Sequence, residues 1–255
     1  MSKPPSPLAV RPDSWAGLRR FTDARIALGR CGASLPTAAH LAFQAAHAQA
    51  RDAVHTPLDT AALMTALAAR NWPALRVSSA APDRPTYLRR PDLGRRLSPD
   101  SQELLSGPMA PCEVVVVVAD GLSSAAITAN ALPVLTALIP LLGQAGRKLG
   151  PILVASQARV ALGDPIGEAL QAEVSIMLIG ERPGLSAMDS LGLYLTWMPR
   201  PGRVDAERNC ISNVRTGGMA QEEAARQAAL LVDSMKSHRS GGIALADQTS
   251  ATRRP

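Results

Sequence analysis

The chain has 255 residues, of which 46% are hydrophobic and 19% charged, proportions that are typical of a globular protein. This length permits one large domain or two small ones around a buried core. The longest apolar run, residues 114–119, is far shorter than the ~20 residues that cross a membrane. Residues 1–11 lack the apolar stretch of a secretory signal peptide. We therefore expect a cytoplasmic protein without a membrane partner.

The formal net charge is +6, and arginine supplies nearly all of the positive charge because the chain has only three lysines. Such a charge suits nucleic acid, an acidic partner surface or an arginine-rich subunit interface. Two Phe, two Tyr and the lack of any known nucleic-acid-binding motif argue against nucleic acid. The three cysteines, Cys31, Cys112 and Cys210, are scattered, which favours reduced thiols over a disulfide framework.

The N-terminal part predicts a proline-rich arm followed by helices. Residues 1–13 contain four prolines and form the arm. Asp13 or Ser14 can cap a short helix over 15–20. An alanine-rich helix is predicted over 37–54, and a second helix over 59–70.

Residues 71–111 contain seven prolines and many arginines with little periodicity, except for a short helix predicted over 98–105. This change of composition predicts a domain boundary. We place a small N-terminal arm and helical domain at 1–95 and an α/β domain at 96–255.

The second half alternates between strands and helices. The β-branched run at 113–119 predicts a strand that is buried on both faces. Helical segments follow through Ala131 and again from Pro133 to about Lys148. Further strands are predicted over 152–155, 174–179 and 193–197, helices over 165–171 and 221–235, and a polar tail from 237. This order predicts a Rossmann-like, doubly wound, mostly parallel sheet.

In such a sheet, ligands bind outside the carboxyl ends of the strands. The loops expected there are 120–123, 159–161 and 180–184. No G-x-G-x-x-G or P-loop motif is present, so these loops are either tight turns or a ligand site of another kind.

No catalytic or metal-binding set stands out. His40 and His47 lie two helical turns apart, too far to hold one ion. No G-x-S-x-G motif is present. Cys210 lies in a polar segment, RNCISN, that is predicted to be a loop after the last strand.

Seven stretches occur in order along nearly the whole chain: 18–30, SLPT at 34–37, 47–55, ADGLS at 119–123, QARVALGD at 157–164, GERPGLS at 180–186 and RNCISNVR at 208–215. Together they resemble the small (light) subunit of ethanolamine ammonia-lyase. The resemblance implies an adenosylcobalamin-dependent enzyme that converts ethanolamine to acetaldehyde and ammonia by radical chemistry. In that family a large TIM-barrel subunit holds the substrate, and the small subunit closes over the cobalamin at the interface between them.

The resemblance also implies three cofactor-binding residues, each within a matching motif. Val160 could pack on an apolar face of the cofactor, Glu181 could accept hydrogen bonds from corrin amides, and Cys210 could contact the edge of the cofactor. No D-x-H-x-x-G motif is present, which agrees with a family that keeps the cofactor's own benzimidazole on cobalt.

Two other functions remain in competition. A stand-alone nucleotide-binding module would need a phosphate loop, and a nucleic-acid adaptor would bind DNA with a steep salt dependence. The arm before Trp15 is short, whereas relatives that are packaged in bacterial microcompartments can carry a longer one. We therefore expect a cytoplasmic lyase subunit, with encapsulation left open.

Overall fold

The computed structural model describes residues 10–251. Most of the predicted N-terminal arm and the last residues of the predicted tail lie outside this range. The strands are β1 (Ala74–Ser78), β2 (Val114–Ala119), β3 (Ile152–Ser156), β4 (Val174–Gly180), β5 (Leu191–Trp197) and β6 (Arg208–Val214). The helices are α1 (Thr37–His55), α2 (Thr60–Ala68), α3 (Arg84–Arg89), α4 (Pro99–Ser106), α5 (Ser124–Gln144), α6 (Gly163–Ala169), α7 (Gln221–His238) and α8 (Gly242–Ala251).

The described strands form one six-stranded sheet in the order β1-β3-β2-β4-β5-β6. The first four of these run parallel, whereas β5 and β6 are antiparallel to their neighbours. The predicted α/β class is confirmed, and the Rossmann-like doubly wound arrangement stays a prediction. β5 departs from the parallel pattern because the link at 181–190 is too short for the crossover that a parallel strand requires.

Strand β2 is buried along its whole length, as its β-branched run predicts. Val114, Val116 and Val118 belong to a core layer that also contains side chains of α2, α5 and α7. The alternate side chains, including Val115 and Val117, belong to a second layer with side chains of α4 and α6. Because neighbouring strand residues point to opposite faces, this one strand contributes to both layers.

Helix α5 is continuous, so the prediction of two segments separated near Pro133 is wrong. The helix contains both Pro133 and Pro140. Each proline removes the partner of a carbonyl four residues earlier, on Ala129 and Thr136. All four residues are exposed, so water can bind the freed carbonyls while the opposite face of the helix packs on the sheet.

By length and composition alone, α5 could cross a membrane, because its 21 residues include a stretch with a mean hydropathy of 1.8. A buried core helix has the same composition. Leu135, Leu138 and Leu142 on this helix are fully buried within the core layer beside β2.

The predicted helices α1, α2, α4 and α7 are confirmed to within a few residues. The short helix near Trp15 is a 3₁₀ helix, Ala16–Phe21. The sequence does not predict β1, which lies inside the expected helical domain but pairs with β3 at the edge of the sheet. The division into 1–95 and 96–255 stays a prediction.

The C-terminal part differs from the prediction at two places. Residues 208–214 form the edge strand β6 and are not a loop. The predicted polar tail from 237 contains helix α8, in which Leu245 is buried in the core.

The closest backbone approach at the strand ends yields a prediction about stability. A Cβ at Gly180 would collide with the carbonyl oxygens of Ser123 and Asp120. Gly180→Ala is therefore expected to lower the free energy of unfolding by about 2–3 kcal/mol. Gly143→Ala is the matched control, since nothing lies within 4 Å of a Cβ there and the helix should gain about 0.5–1 kcal/mol. Urea unfolding of both variants tests this, and equal effects would contradict it.

Candidate functional site

Three loops meet where the parallel strands β2, β3 and β4 reach their carboxyl ends. They border a cavity of about 380 Å³. Its lining consists of Tyr87, Gly121, Leu122, Arg159, Val160, Ile179, Gly180, Glu181, Arg182 and Tyr194. The structure thus brings two of the three predicted site residues, Val160 and Glu181, to one cavity at the predicted edge of the sheet.

Val160 opens a 3₁₀ turn, Val160–Leu162, that leads directly into α6. The residue before it is held in place, because the Arg159 N–H donates to the Gly94 carbonyl at 2.8 Å. Gly94 must be small here, since a Cβ would lie 2.8 Å from Arg159 Cγ and 3.0 Å from the Tyr87 ring. The half-buried Val160 therefore offers an apolar surface on a well-anchored turn.

Glu181 directly follows β4, and its carboxylate is oriented by neighbouring residues. Its Oε2 accepts a hydrogen bond from Ser190 Oγ at 2.5 Å and a longer one from the Asn213 N–H at 3.4 Å. Gly192 leaves room for the carboxylate, because a Cβ there would lie 2.9 Å from Oε1. Within residues 10–248, no hydrogen bond reaches Oε1, so this oxygen is available to a ligand donor.

Cys210 is on strand β6, so its predicted place in a loop is wrong. It pairs with Tyr194 across β5 and β6 and does not line the cavity. The Tyr194 ring, which does line the cavity, lies beside it. Cys210 therefore lies on the edge strand, next to a residue of the cavity wall, and is not part of the wall itself.

The surroundings of Cys210 favour the neutral thiol. Although much of the residue is exposed, partial burial raises the pKa of the thiol, and the negative charge of Glu181 raises it further. The interaction with the Tyr194 hydroxyl acts in the opposite direction and lowers the thiol pKa. Burial also raises the pKa of Tyr194.

The predicted site includes no aromatic residue. Both tyrosines of the chain, however, line the cavity. Tyr87 is fully buried, and two guanidinium groups lie near its ring, those of Arg159 at 4.4 Å and Arg84 at 4.9 Å from the ring centre. The scarcity of tyrosine is the only signal in the sequence, and it carries no information about position.

A larger cavity, of about 1030 Å³, lies on the other side of the 3₁₀ turn. Its wall includes Asp164 and Arg208, which are buried and joined by two hydrogen bonds of 2.7 Å. None of the three predicted site residues lines it. Volume alone would therefore favour this cavity, but Val160 and Glu181, which the family resemblance implies as cofactor-binding residues, line the smaller one.

In the described part of the chain, no group of three or more His, Cys, Asp or Glu side chains could hold a metal ion.

The electrostatic link between Glu181 and Cys210 can be tested by alkylation. Cys210 should react with iodoacetamide with a pH midpoint above the ordinary thiol value of about 8.5. Glu181→Gln removes a negative charge that disfavours the thiolate, so the midpoint should fall. Mass spectrometry of the peptide that contains Cys210, across roughly pH 6–10, measures both values. Glu222→Gln, an exposed carboxylate on α7, should change nothing, and an unchanged midpoint in Glu181→Gln would contradict the link.

Comparison with known proteins identifies the family. Residues 12–246 match the family model described as ethanolamine ammonia-lyase light chain (EutC). A protein of Azotobacter vinelandii named ethanolamine ammonia-lyase small subunit is 52% identical over 97% of this chain and 93% of its own length. Proteins of the same name are 50% identical in Xanthomonas campestris pv. campestris, over 97% of this chain and 92% of the relative, and 51% identical in Bradyrhizobium diazoefficiens, over 93% and 92%. The chain therefore belongs to the ethanolamine ammonia-lyase small-subunit family and is a subunit of a lyase.

Proposed function

We propose that this chain helps bind adenosylcobalamin at the strand-end cavity, at an interface with the large TIM-barrel subunit of ethanolamine ammonia-lyase. In this proposal the hetero-oligomer converts ethanolamine to acetaldehyde and ammonia in the cytoplasm, and encapsulation in a bacterial microcompartment is the alternative location. The observation that carries the proposal is the meeting of Val160 and Glu181 at one cavity, with Cys210 beside Tyr194 of the cavity wall.

The cavity has the donor and acceptor groups that a corrin cofactor with amide side chains and a phosphate requires. Val160 and Tyr194 offer apolar surface, Arg159 and Arg182 offer donors, and Glu181 offers an acceptor. When bound, adenosylcobalamin supplies the radical chemistry through its cobalt–carbon bond, while the protein orients it and excludes water.

Glu181 is the residue best prepared to recognise an amide. Ser190 and Asn213 engage Oε2, which orients the carboxylate and leaves Oε1 for a ligand N–H. Because the carboxylate is already oriented, little side-chain entropy is lost when the ligand binds.

This chain can cover only part of the cofactor. Drug-sized ligands fill cavities of about 300–1,000 Å³, and cobalamin is larger than such ligands. A cavity of about 380 Å³ therefore leaves most of the cofactor to be covered by another chain. A shared site at a subunit interface meets this requirement.

The N-terminal segment offers a surface for that partner. Trp15 and Phe21 are 68% and 72% exposed, and Leu35, Leu41 and Phe43 are exposed as well. Several exposed large apolar side chains within one segment of the chain are typical of protein interfaces. The Arg25 side chain donates to the Leu185 carbonyl, in the loop after β4, at 3.2 Å. This contact connects the N-terminal segment with the loop that contains Glu181.

Reconstitution tests the proposed function. The chain expressed together with a large ethanolamine ammonia-lyase subunit should copurify with it and release acetaldehyde from ethanolamine only when adenosylcobalamin is added. Each chain alone should be inactive, because the cofactor site is shared. Absence of a complex with a matched partner, or activity without the cofactor, would contradict the proposal.

Variants at Glu181 test the binding role within that complex. Glu181→Ala should raise the KM for adenosylcobalamin about tenfold or more, since a hydrogen bond to a charged group contributes roughly 1.5–3 kcal/mol. Val160→Ala should raise it less, because only apolar contact is lost. Glu222→Gln on α7 is the control and should keep the wild-type KM. Steady-state kinetics with varied cofactor measures all three, and a wild-type KM in Glu181→Ala would exclude this residue from the site.

A further inference from the structure

One buried carboxylate, that of Asp120, joins the segments around the cavity. Asp120 is the first residue after β2 and is 3% exposed. Its Oδ1 accepts a hydrogen bond from the Ala158 N–H at 3.0 Å, and its Oδ2 accepts one from the Gln157 N–H at 2.9 Å. Arg84 Nη1 lies 3.3 Å from Oδ2 and supplies the counter-charge. Asp120 thus connects the end of β2 with the loop after β3 and with helix α3.

Both backbone polar groups of Ala158 are held by hydrogen bonds. Asp120 binds its N–H, and the hydroxyl of the fully buried Tyr87 donates to its carbonyl at 2.9 Å. Two residues later the chain reaches Val160, at the start of the turn that lines the cavity. The position of Val160 therefore depends on two consecutive peptide groups, one bound by Asp120 and the next by Tyr87.

The loop needs this restraint because its backbone is strained. Gln157 has a φ of 55°, in the left-handed region that costs a residue other than glycine roughly 1 kcal/mol. A strained residue stays in such a conformation only when its surroundings hold it there. Here the hydrogen bond from its own N–H to Asp120 is part of that restraint.

We propose that Asp120 is a positioning residue for the cofactor, which holds the loop at 157–160 so that Val160 faces the cavity. Asp120 does not itself line the cavity, so it acts through the peptide groups of Gln157 and Ala158 and not by touching a ligand. This inference rests on the proposed function, since it assigns a supporting residue to the same binding site. A purely structural role would destabilise the chain without a selective effect on the cofactor.

The test is Asp120→Asn in the complex with the large subunit. An amide of the same size keeps one acceptor and replaces the other by a donor, so it cannot bind both N–H groups and also face Arg84. The KM for adenosylcobalamin should rise about tenfold or more, as expected when a supporting residue no longer holds a binding residue in position. The KM for ethanolamine, and kcat at saturating cofactor, should stay within about twofold of wild type, because the large subunit holds the substrate.

Two further variants separate positioning from stability. Glu113→Gln breaks an ion pair with Lys236 at the opposite end of β2, so it controls for a general loss of stability. Tyr87→Phe keeps the ring but removes the hydroxyl on the Ala158 carbonyl, and should raise the cofactor KM about threefold. If Asp120→Asn does not fold, the cofactor KM of Tyr87→Phe is the measurement that tests the positioning role. Melting temperatures are measured for each complex.

The outcomes distinguish this inference from the proposed function. A wild-type complex without adenosylcobalamin-dependent activity would overturn both. An active wild-type complex with an unchanged cofactor KM in Asp120→Asn and Tyr87→Phe would overturn the positioning role alone. The positioning role would also be overturned if Glu113→Gln and Asp120→Asn lowered the melting temperature equally and raised the cofactor KM equally.

Discussion

The burial of strand β2 on both faces is the constraint on which the remaining architecture depends. Its six residues expose almost no surface, so both sides of the sheet must be covered. The segment after β2 forms α5 on one face, and the segment after β3 forms α6 on the other. Chains that leave neighbouring strands toward opposite faces open a crevice at their carboxyl ends. The position of the candidate site is thus a consequence of how a fully apolar strand is buried.

Two buried ion pairs fix the elements around that crevice. Asp120 with Arg84, and Asp164 with Arg208, each tie together segments that are distant in the sequence. Burial raises the pKa of Asp120, while the N–H donors of residues 157 and 158 and the charge of Arg84 lower it. Buried ion pairs contribute little net stability, because desolvation offsets their attraction. Their value here is geometric, since both pairs anchor the elements that carry Val160 and Cys210.

The parts of the fold that could be predicted are those governed by local rules. Caps at Asp59 and Ser98 accept the backbone N–H groups that begin α2 and α4, and the valine run defines β2. The edge strands β1 and β6 could not be predicted, because β1 has only five residues and β6 is rich in polar residues, so both become strands only through pairing with β3 and β5. Likewise, Val160 and Glu181 lie in recognisable motifs, whereas Tyr87 reaches the cavity only because α3 folds back over the strand ends.

Under the proposed function, the same features suit a chain that works as one subunit of a larger enzyme. Its cavity is small and open, yet its groups are rigid: Glu181 is oriented by Ser190, and the loop after β3 is fixed by Asp120. A surface whose groups are already ordered loses little entropy when a second chain and a large ligand close over it. An enzyme that must exclude water from a reactive cofactor gains from two such half-sites, because their closure can bury the cofactor completely while each half remains accessible beforehand. The exposed Trp15 and Phe21 agree with such an arrangement, since exposed large apolar side chains are typical of surfaces that a second chain covers.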